Sequence, residues 1–437
     1  MALPLKVGLA GLGTVGSAVV QLLEDGHDKL LARCGRGIEV VAISARSRNK
    51  KRAFDSRKFR WVSDPVALAR DPAIDVFVEV IGGASGPAKL AVETALAAGK
   101  PVVTANKALL AAHGQKLAAL AERHGVALNF EASVAGGIPI VKTLREGLNG
   151  ASFDRIYGIL NGTCNYILTR MEQERLSFAD SLKEAQRLGY AETDPTFDVE
   201  GHDTAQKLAI LASLAFGTRI EPRAVYREGI SSITPADLNA AAELGYRVKL
   251  LGVAVKTDEG IEQRVHPTMV PKDSAIAQVM GVTNAVTIDA DGIAPITLVG
   301  PGAGGEATAS AIIADLADIA RGVRTPPFGR PAARMTAIRK APMQRHEGGY
   351  YIRLLARDRP GSAATIARRL AQRQISLESI VQRHESRSQD AGKSGDPVPV
   401  ILITYATTED AVHKALAAVR RDRVVSGRPQ VIRIEKN

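Results

Sequence analysis

Over the first 130 residues, short apolar runs, many of them β-branched, alternate with Ala/Leu-rich stretches of helical spacing. The runs at 5–10, 38–45, 76–81, 102–104 and 126–130 predict strands, and 17–23, 88–98 and 108–122 predict helices between them. Strands separated by helices imply βαβ crossovers and a parallel sheet. Residues 131–305 mix helical patterns with β-rich runs at 249–255 and 285–288. Residues 306–321 predict a strong helix, with Ile312, Ile313, Leu316, Ile319 and Ala320 as its apolar stripe. Thr325-Pro-Pro-Phe-Gly-Arg-Pro331 breaks that period and reads as a linker. A separate small unit follows: strand 350–356, helix 362–372, strand 376–382, polar loop 385–395, strand 398–404, helix 409–420 and a last strand 430–434. The chain is thus expected to be α/β, with a parallel-sheet domain over 1–130 completed by 306–340, an α+β domain over 131–305 and a third over 348–437.

Composition narrows the class. Of 437 residues, 45% are hydrophobic and 24% charged, enough apolar material for several cores, which excludes disorder as the dominant state. Two cysteines, Cys34 and Cys164, support neither a disulfide framework nor a four-cysteine zinc site. Their scarcity fits the cytoplasm. No run of 18 apolar residues predicts a membrane span, and no basic stretch before an apolar core predicts a leader at Met1. The net charge of +11 is local: residues 46–60 carry +7, residues 345–437 carry another +7, and the remainder is mildly acidic. Aromatic residues are only 4%, and helix-turn-helix and RNA-recognition signatures are lacking, which argues against a nucleic-acid partner.

Gly11, Gly13 and Gly16 form a G-x-G-x-x-G pattern between a predicted strand and a predicted helix. In that setting the first glycine permits the tight turn, the second admits a pyrophosphate, and the third lets helix and strand pack closely. Helix N–H groups would hold the phosphates. The plainer alternative is an ordinary glycine-rich turn. The second strand ends without the acid expected for a ribose 2′-OH; Arg46 and Arg48 stand there instead. They suit a 2′-phosphate and point to NADP(H) over NAD(H), unless the loop is merely a solvated basic one. Further on, Ala185-Gln-Arg-Leu-Gly-Tyr-Ala-Glu192 leads through Asp198 and Gly201 to Asp203 and Lys207. The last two are four apart on one helix face, and a surface ion pair would explain the spacing as well as catalysis would.

This segment resembles the signature of the homoserine dehydrogenase family: Ala, a Gly-aromatic-small triplet, Asp-Pro-x-x-Asp, x-Gly-x-Asp and a lysine four further on. Thr104-Ala-Asn-Lys107, Glu131-Ala-Ser-Val-Ala-Gly-Gly-Ile-Pro139 and Leu160-Asn-Gly-Thr-Cys-Asn-Tyr166 are similar to other family segments, in the family's order, so the resemblance covers about residues 5–340. No aspartate kinase segment precedes it, as in the monofunctional form. The resemblance implies reversible NAD(P)H-dependent reduction of L-aspartate 4-semialdehyde to L-homoserine by a Rossmann-type domain and a substrate and dimerisation domain. Lys207 is the implied proton donor, Lys107 a second catalytic lysine, and Asp203 orients the substrate or the lysine. Glu192 would take the substrate ammonium, with Asp198, Tyr190, Gly162 and Thr163 lining the pocket. Asp198 as a local cap and Tyr190 as packing are the plainer readings. The cofactor contacts expected are Gly11, Gly13, Thr14, Val15, Gly16, Arg46, Thr104, Lys107, Gly189 and Gly302.

The 131–138 segment resembles the family's monovalent cation loop, which implies a sodium site at Glu131, Val134, Gly136 and Ile138, built from one carboxylate and backbone carbonyls. A strand running into a Gly-Gly turn is the structural alternative. Cys164 has no sequence-local histidine to activate it and is expected to be inert. The Asp358-Arg-Pro-Gly361 turn and the strand around Ile380 resemble an ACT domain, a ferredoxin-like module. That implies an amino-acid effector, with threonine the natural candidate, although Ser362-Ala-Ala departs from the usual sequence and a structural or oligomerising role is the alternative. A homodimer or homotetramer is expected. A non-catalytic sensor of dinucleotide and amino acid is the competing function; retained Glu192, Asp203 and Lys207 argue against it.

Overall fold

The computed structural model describes residues 3–382 and 397–435. The N-terminal strands are β1 (Leu5–Ala10), β2 (Ile38–Ser44), β3 (Arg60–Trp61), β4 (Val76–Glu79), β5 (Val102–Thr104) and β6 (Leu128–Asn129). They form one parallel sheet in the order β3-β2-β1-β4-β5-β6. The order reverses between β1 and β4, and at such a switch point an open α/β sheet leaves a crevice for a ligand. Crossover helices α1 (Thr14–Asp25), α2 (His27–Cys34), α3 (Pro65–Arg70), α4 (Pro87–Ala97) and α5 (Lys107–Arg123) connect the strands. α5 starts where it does because the Asn106 side chain caps it, accepting the Leu109 N–H at 3.0 Å. The distant α12 (Gly305–Ala320) closes this layer: Ile312 and Leu316 share a core with Leu9, Val19 and Val78.

After the short α6 (Ile140–Lys142), the middle region holds β7 (Phe153–Ile159), α7 (Gly162–Glu174), α8 (Phe178–Arg187), α9 (Thr196–Val199), α10 (His202–Phe216), β8 (Tyr226–Arg227) and α11 (Pro235–Glu243). The strands β9 (Tyr246–Thr257), β10 (Gly260–Pro271), β11 (Thr283–Ala290) and β12 (Ile293–Pro301) complete it. The C-terminal unit is β13 (Glu347–Arg357), α13 (Ser362–Ala371), β14 (Leu377–Gln382), β15 (Pro397–Thr404), β16 (Thr407–Thr408), α14 (Glu409–Arg421) and β17 (Val425–Ile434). Its main strands run antiparallel in the order β17-β13-β15-β14, the ferredoxin-like arrangement. The polar loop expected at 385–395 lies within a segment outside the described residues.

The C-terminal unit has a core of its own on one face of its sheet, while Tyr351, Ile403 and Ile432 on the other face join the core of the middle region. Tyr350, Ile352 and Leu354 face a core shared with Ile366, Leu370, Val412 and Leu416. Period-2 alternation sends Tyr351 and Arg353 to the other face, where both bond Asp237 of α11, Arg353 Nε at 2.7 Å. β17 pairs in parallel with β10 at Thr268–Arg433 and Met269–Ile434, so one sheet runs from the middle region into this unit. The 325–331 segment also differs from a free linker: it has no helix or strand, yet Phe328 is buried with its ring 5.1 Å from that of Phe130. No described helix is long and apolar enough to cross a membrane.

Candidate active site

α10 follows the N-cap Gly201, whose φ of +77° favours glycine, and carries Asp203 and Lys207 one turn apart. This is not a surface pair, because Asp203 is only 4% exposed and Lys207 9%. Lys207 Nζ lies 2.9 Å from Asp203 Oδ2, and Lys107 Nζ, from the first residue of α5, lies 3.1 Å from Asp203 Oδ1. Two ammonium groups therefore share one buried carboxylate. Lys207 also donates to the Leu160 carbonyl at 2.7 Å.

Asn161 ties the acids together. Its side-chain N–H group donates to Asp203 Oδ2 at 2.9 Å and to Asp198 Oδ1 at 2.8 Å, and its Oδ1 accepts the Cys164 N–H at the start of α7. Sequence reasoning gave Asn161 no role, although an Asn immediately before a predicted helix signals an N-cap. Burial opposes the Asp203 charge, but Lys207, Lys107 and the Asn161 bond hold its carboxyl well below the usual range. Asp198 is shifted upward, by burial first and then by the Asp203 charge.

A cavity of about 260 Å³ joins these lysines to the glycine turn; Val15, Lys107, Gly136, Lys207 and Gly302 are in its lining. The turn fits a dinucleotide. Gly11 has φ +103°, and a Cβ there would meet the Val80 carbonyl at 2.4 Å. A Cβ on Gly16 would lie 2.0 Å from the Gly11 carbonyl, whereas Gly13 faces open space at an uncapped helix N-terminus. The floor is held by Glu79, which sequence reasoning missed. Its carboxylate accepts the N–H groups of Ile81 and Gly82 at 2.8 and 2.9 Å and the Thr104 hydroxyl at 2.6 Å. Thr104 is therefore buried beneath the cavity, outside its lining, because its hydroxyl is spent on Glu79. A larger cavity of about 510 Å³, lined in part by Lys256, Arg330 and Arg339, contains none of the expected site residues.

Other expected residues fall at varied places. Thr14 packs beside Gly305, and Arg46 is exposed at the end of β2. Gly189, at φ +77°, ends α8 on an exposed loop outside the cavity lining. Glu192 is exposed on the same loop, outside the cavity lining. The Tyr190 ring packs 5.0 Å from Tyr166, and its carbonyl accepts the Thr163 hydroxyl at 2.6 Å, which ties this loop to the start of α7 beside Gly162. Cys164 is fully buried, and burial pushes its thiol up, as suits an inert cysteine.

The 131–138 loop is held by its own carboxylate and backbone. The Glu131 carboxylate accepts the Val141 and Lys142 N–H groups at 2.8 and 2.7 Å, capping α6. Burial and then the neighbouring Asp315 push it up to about 7. Among the described residues no cluster of three or more His, Cys, Asp or Glu could hold a metal. The loop packs Gly136 directly on the Gly302 backbone, where a Cβ would lie 2.6 Å away, and holds both Ala135 and Gly136 in the left-handed region. For Ala135 that conformation costs about 1–2 kcal/mol.

The family profile described as homoserine dehydrogenase, NAD binding domain, matches residues 11–131; that described as homoserine dehydrogenase matches 139–317, and the ACT domain matches 350–422. A homoserine dehydrogenase of Pseudomonas aeruginosa is 45% identical over 99% of both chains. The crystal structure of a homoserine dehydrogenase from Thiobacillus denitrificans superimposes with a TM-score of 0.91 at 43% identity, over 99% of this chain and 98% of that one. A hyperthermophilic archaeal homoserine dehydrogenase in complex with NADPH, 28% identical, matches with a TM-score of 0.62 over 74% of this chain and 99% of its own.

Proposed function

Because the chain belongs to the homoserine dehydrogenase family, and so is an NAD(P)-dependent oxidoreductase acting on a CH–OH group, we propose that it interconverts L-aspartate 4-semialdehyde and L-homoserine with Lys207 as proton donor. The observation that carries the residue assignment is the pair of lysines on one buried carboxylate, at the end of a cavity that starts at the glycine turn. When bound, the nicotinamide supplies or accepts the hydride. The N–H groups at the start of α1 would hold its pyrophosphate, with Val15 and Gly302 in the lining of the cavity it would enter. Lys207 gives its proton to the aldehyde oxygen as charge develops there, and takes one back in the oxidative direction. Lys107 adds a second positive charge beside the same oxygen, and Asp203 keeps both ammonium groups in place. The substrate ammonium calls for a carboxylate. Asp198, joined to Asp203 through Asn161, and Glu192, on the loop that Thr163 secures, are the proposed partners, with Tyr190 and Gly162 beside them. A sensor without catalysis has no use for this arrangement and draws no support from the comparisons. Consumption of NADPH on addition of aspartate semialdehyde tests the reaction; no consumption by folded, NADPH-binding protein would refute it.

NADPH is the proposed cofactor, on the basic end of β2 and by analogy with the archaeal relative. The expected kcat/KM is at least about tenfold higher with NADPH than with NADH, and Arg46→Ala should erase most of that ratio. Equal use of the two by the unaltered chain would overturn this. A sodium ion, if the loop takes one, would be held by the backbone carbonyls of Glu131, Val134, Gly136 and Ile138, since the carboxylate is engaged elsewhere. We place the enzyme in the cytoplasm, in the biosynthesis of threonine, methionine and isoleucine, as a homodimer or homotetramer. Threonine is the proposed effector of the ACT domain. It should slow the initial rate at millimolar concentration, and a flat titration would leave the domain with a structural or assembly role.

A further inference from the structure

We infer that Glu228 and Arg433 form a positioning pair for the reaction, through which the last strand of the chain sets the start of the catalytic helix α10. Arg433 is 1% exposed, on β17. Its guanidinium grips Glu228 with two bonds, Nη1 to Oε2 at 2.9 Å and Nη2 to Oε1 at 3.0 Å. Its Nε donates to Glu409 Oε2, also at 2.9 Å, and Glu409 in turn accepts the Tyr350 hydroxyl. Arg433 is thus anchored inside the C-terminal unit and reaches out of it to Glu228 and, over the ring and hydroxyl of Tyr226, to β8 of the middle region. A bidentate guanidinium–carboxylate contact fixes orientation as well as distance.

The residues around Glu228 are fastened in turn to the corner between α9 and α10. The Ile230 N–H donates to the Val199 carbonyl at 2.9 Å, and Ser231 Oγ donates to Glu200 Oε1 at 2.8 Å. Arg227 meets the His202 ring at the first residue of α10. Gly229 runs backbone to backbone with this corner: a Cβ on it would lie 2.4 Å from the Val199 carbonyl. A Cβ on Gly201 would in turn lie 2.9 Å from Val265 of β10, the strand that β8 pairs with. The clamped stretch, 199–202, lies between Asp198 and Asp203. A shift in it would move those two carboxylates relative to each other and change the angle at which Lys207 leaves the helix. The active-site carboxylate, Asn161 and both lysines are spaced at hydrogen-bond distances, so a displacement of a few tenths of an ångström there costs rate. Neither Glu228 nor Arg433 lines the cavity.

The inference rests on Asp203 and Lys207 being the reacting pair, and Glu228→Gln in the full-length protein tests it. Glu228 is partly exposed, and the change leaves the Arg433–Glu409 contact in place, so folding is spared. The expected result is a fall in kcat of about five- to tenfold, with KM for the semialdehyde and Kd for NADPH within about twofold of the unaltered chain. Arg433→Lys, which keeps the charge but not the two-pronged geometry, should give a similar loss, and the double variant should be no worse than the more affected single variant. A kcat for Glu228→Gln within about twofold of the unaltered chain would overturn the inference, as would additive losses in the double variant. So would a loss matched by an equal loss of NADPH binding, which would mean general loosening. Lys207→Ala assayed alongside separates the two claims: if it retains normal turnover, the catalytic assignment fails whatever Glu228 does.

Discussion

Lys207→Ala is expected to lower kcat for semialdehyde reduction by about 10²- to 10⁴-fold, while Kd for NADPH stays near that of the unaltered chain. The geometry gives the reason. Lys207 Nζ is held between Asp203 Oδ2 and the Leu160 carbonyl and lines the cavity, so it is fixed in place before substrate arrives. Its ammonium, already paired with a carboxylate, is positioned to hand a proton to an oxygen in the cavity. Alanine removes the donor but leaves the glycine turn and its floor unchanged. Lys107 remains on the carboxylate, 3.1 Å away, so the buried charge is not orphaned and the protein should fold. Rapid-mixing kinetics with NADPH prebound would separate the chemical step from binding. Near-normal turnover in a folded, NADPH-binding variant would refute the assignment and shift the donor role to Lys107.

Asp203→Asn is expected to cost about 10²-fold in kcat and to change the pH profile as well as the rate. In the unaltered chain the carboxyl is held well below its usual range, against burial, by Lys207 and Lys107, so it is anionic throughout the neutral range. The amide is nearly the same shape but carries no charge, and it leaves two ammonium groups facing each other. An ammonium beside a carboxylate keeps its proton more firmly than one beside a neutral amide and a second cation. Reduction needs the protonated donor, so the alkaline limb of its rate should move to lower pH. Oxidation needs the neutral amine, so its acid limb should move the same way. A pH profile identical to that of the unaltered chain, only lower, would show that Asp203 serves geometry alone. Stability carries the matching sign. A depressed carboxyl stabilises the fold above its unfolded value and loses that contribution as pH falls through its folded one, so Asp203→Asn should flatten the acid side of the Tm profile.

Much of the site was legible. Gly11 and Gly16 were readable because backbone sterics force glycine there, each Cβ running into a neighbouring carbonyl, and Gly13 because the turn needs open space for a pyrophosphate. The Asp203–Lys207 pair was readable because helical periodicity puts residues four apart on one face. Local spacing did not say whether that face was buried, nor that Lys107, from another domain's helix, closes on the same carboxylate. Nor did it say that the Thr104 hydroxyl bonds Glu79, or that the Glu131 carboxylate accepts the N–H groups of α6. Glu79 carried no signal at all; it is a single acid at the end of an apolar strand.

The family resemblance supplied the ferredoxin-like unit and the candidate site residues; from sequence pattern alone come the main strands and helices of the N- and C-terminal regions, the α/β class and the dinucleotide turn. Each depends on periodicity, on glycine sterics or on residue type, and these are properties of short stretches. The tertiary structure alone decided which charges meet. It brought Lys107 to Asp203, turned the Glu131 carboxylate toward amide donors, ran β17 onto β10 and seated Arg433 between Glu228 and Glu409. Contacts of that kind join residues far apart in the chain, and hydrophobic pattern records that a face is covered without recording by what.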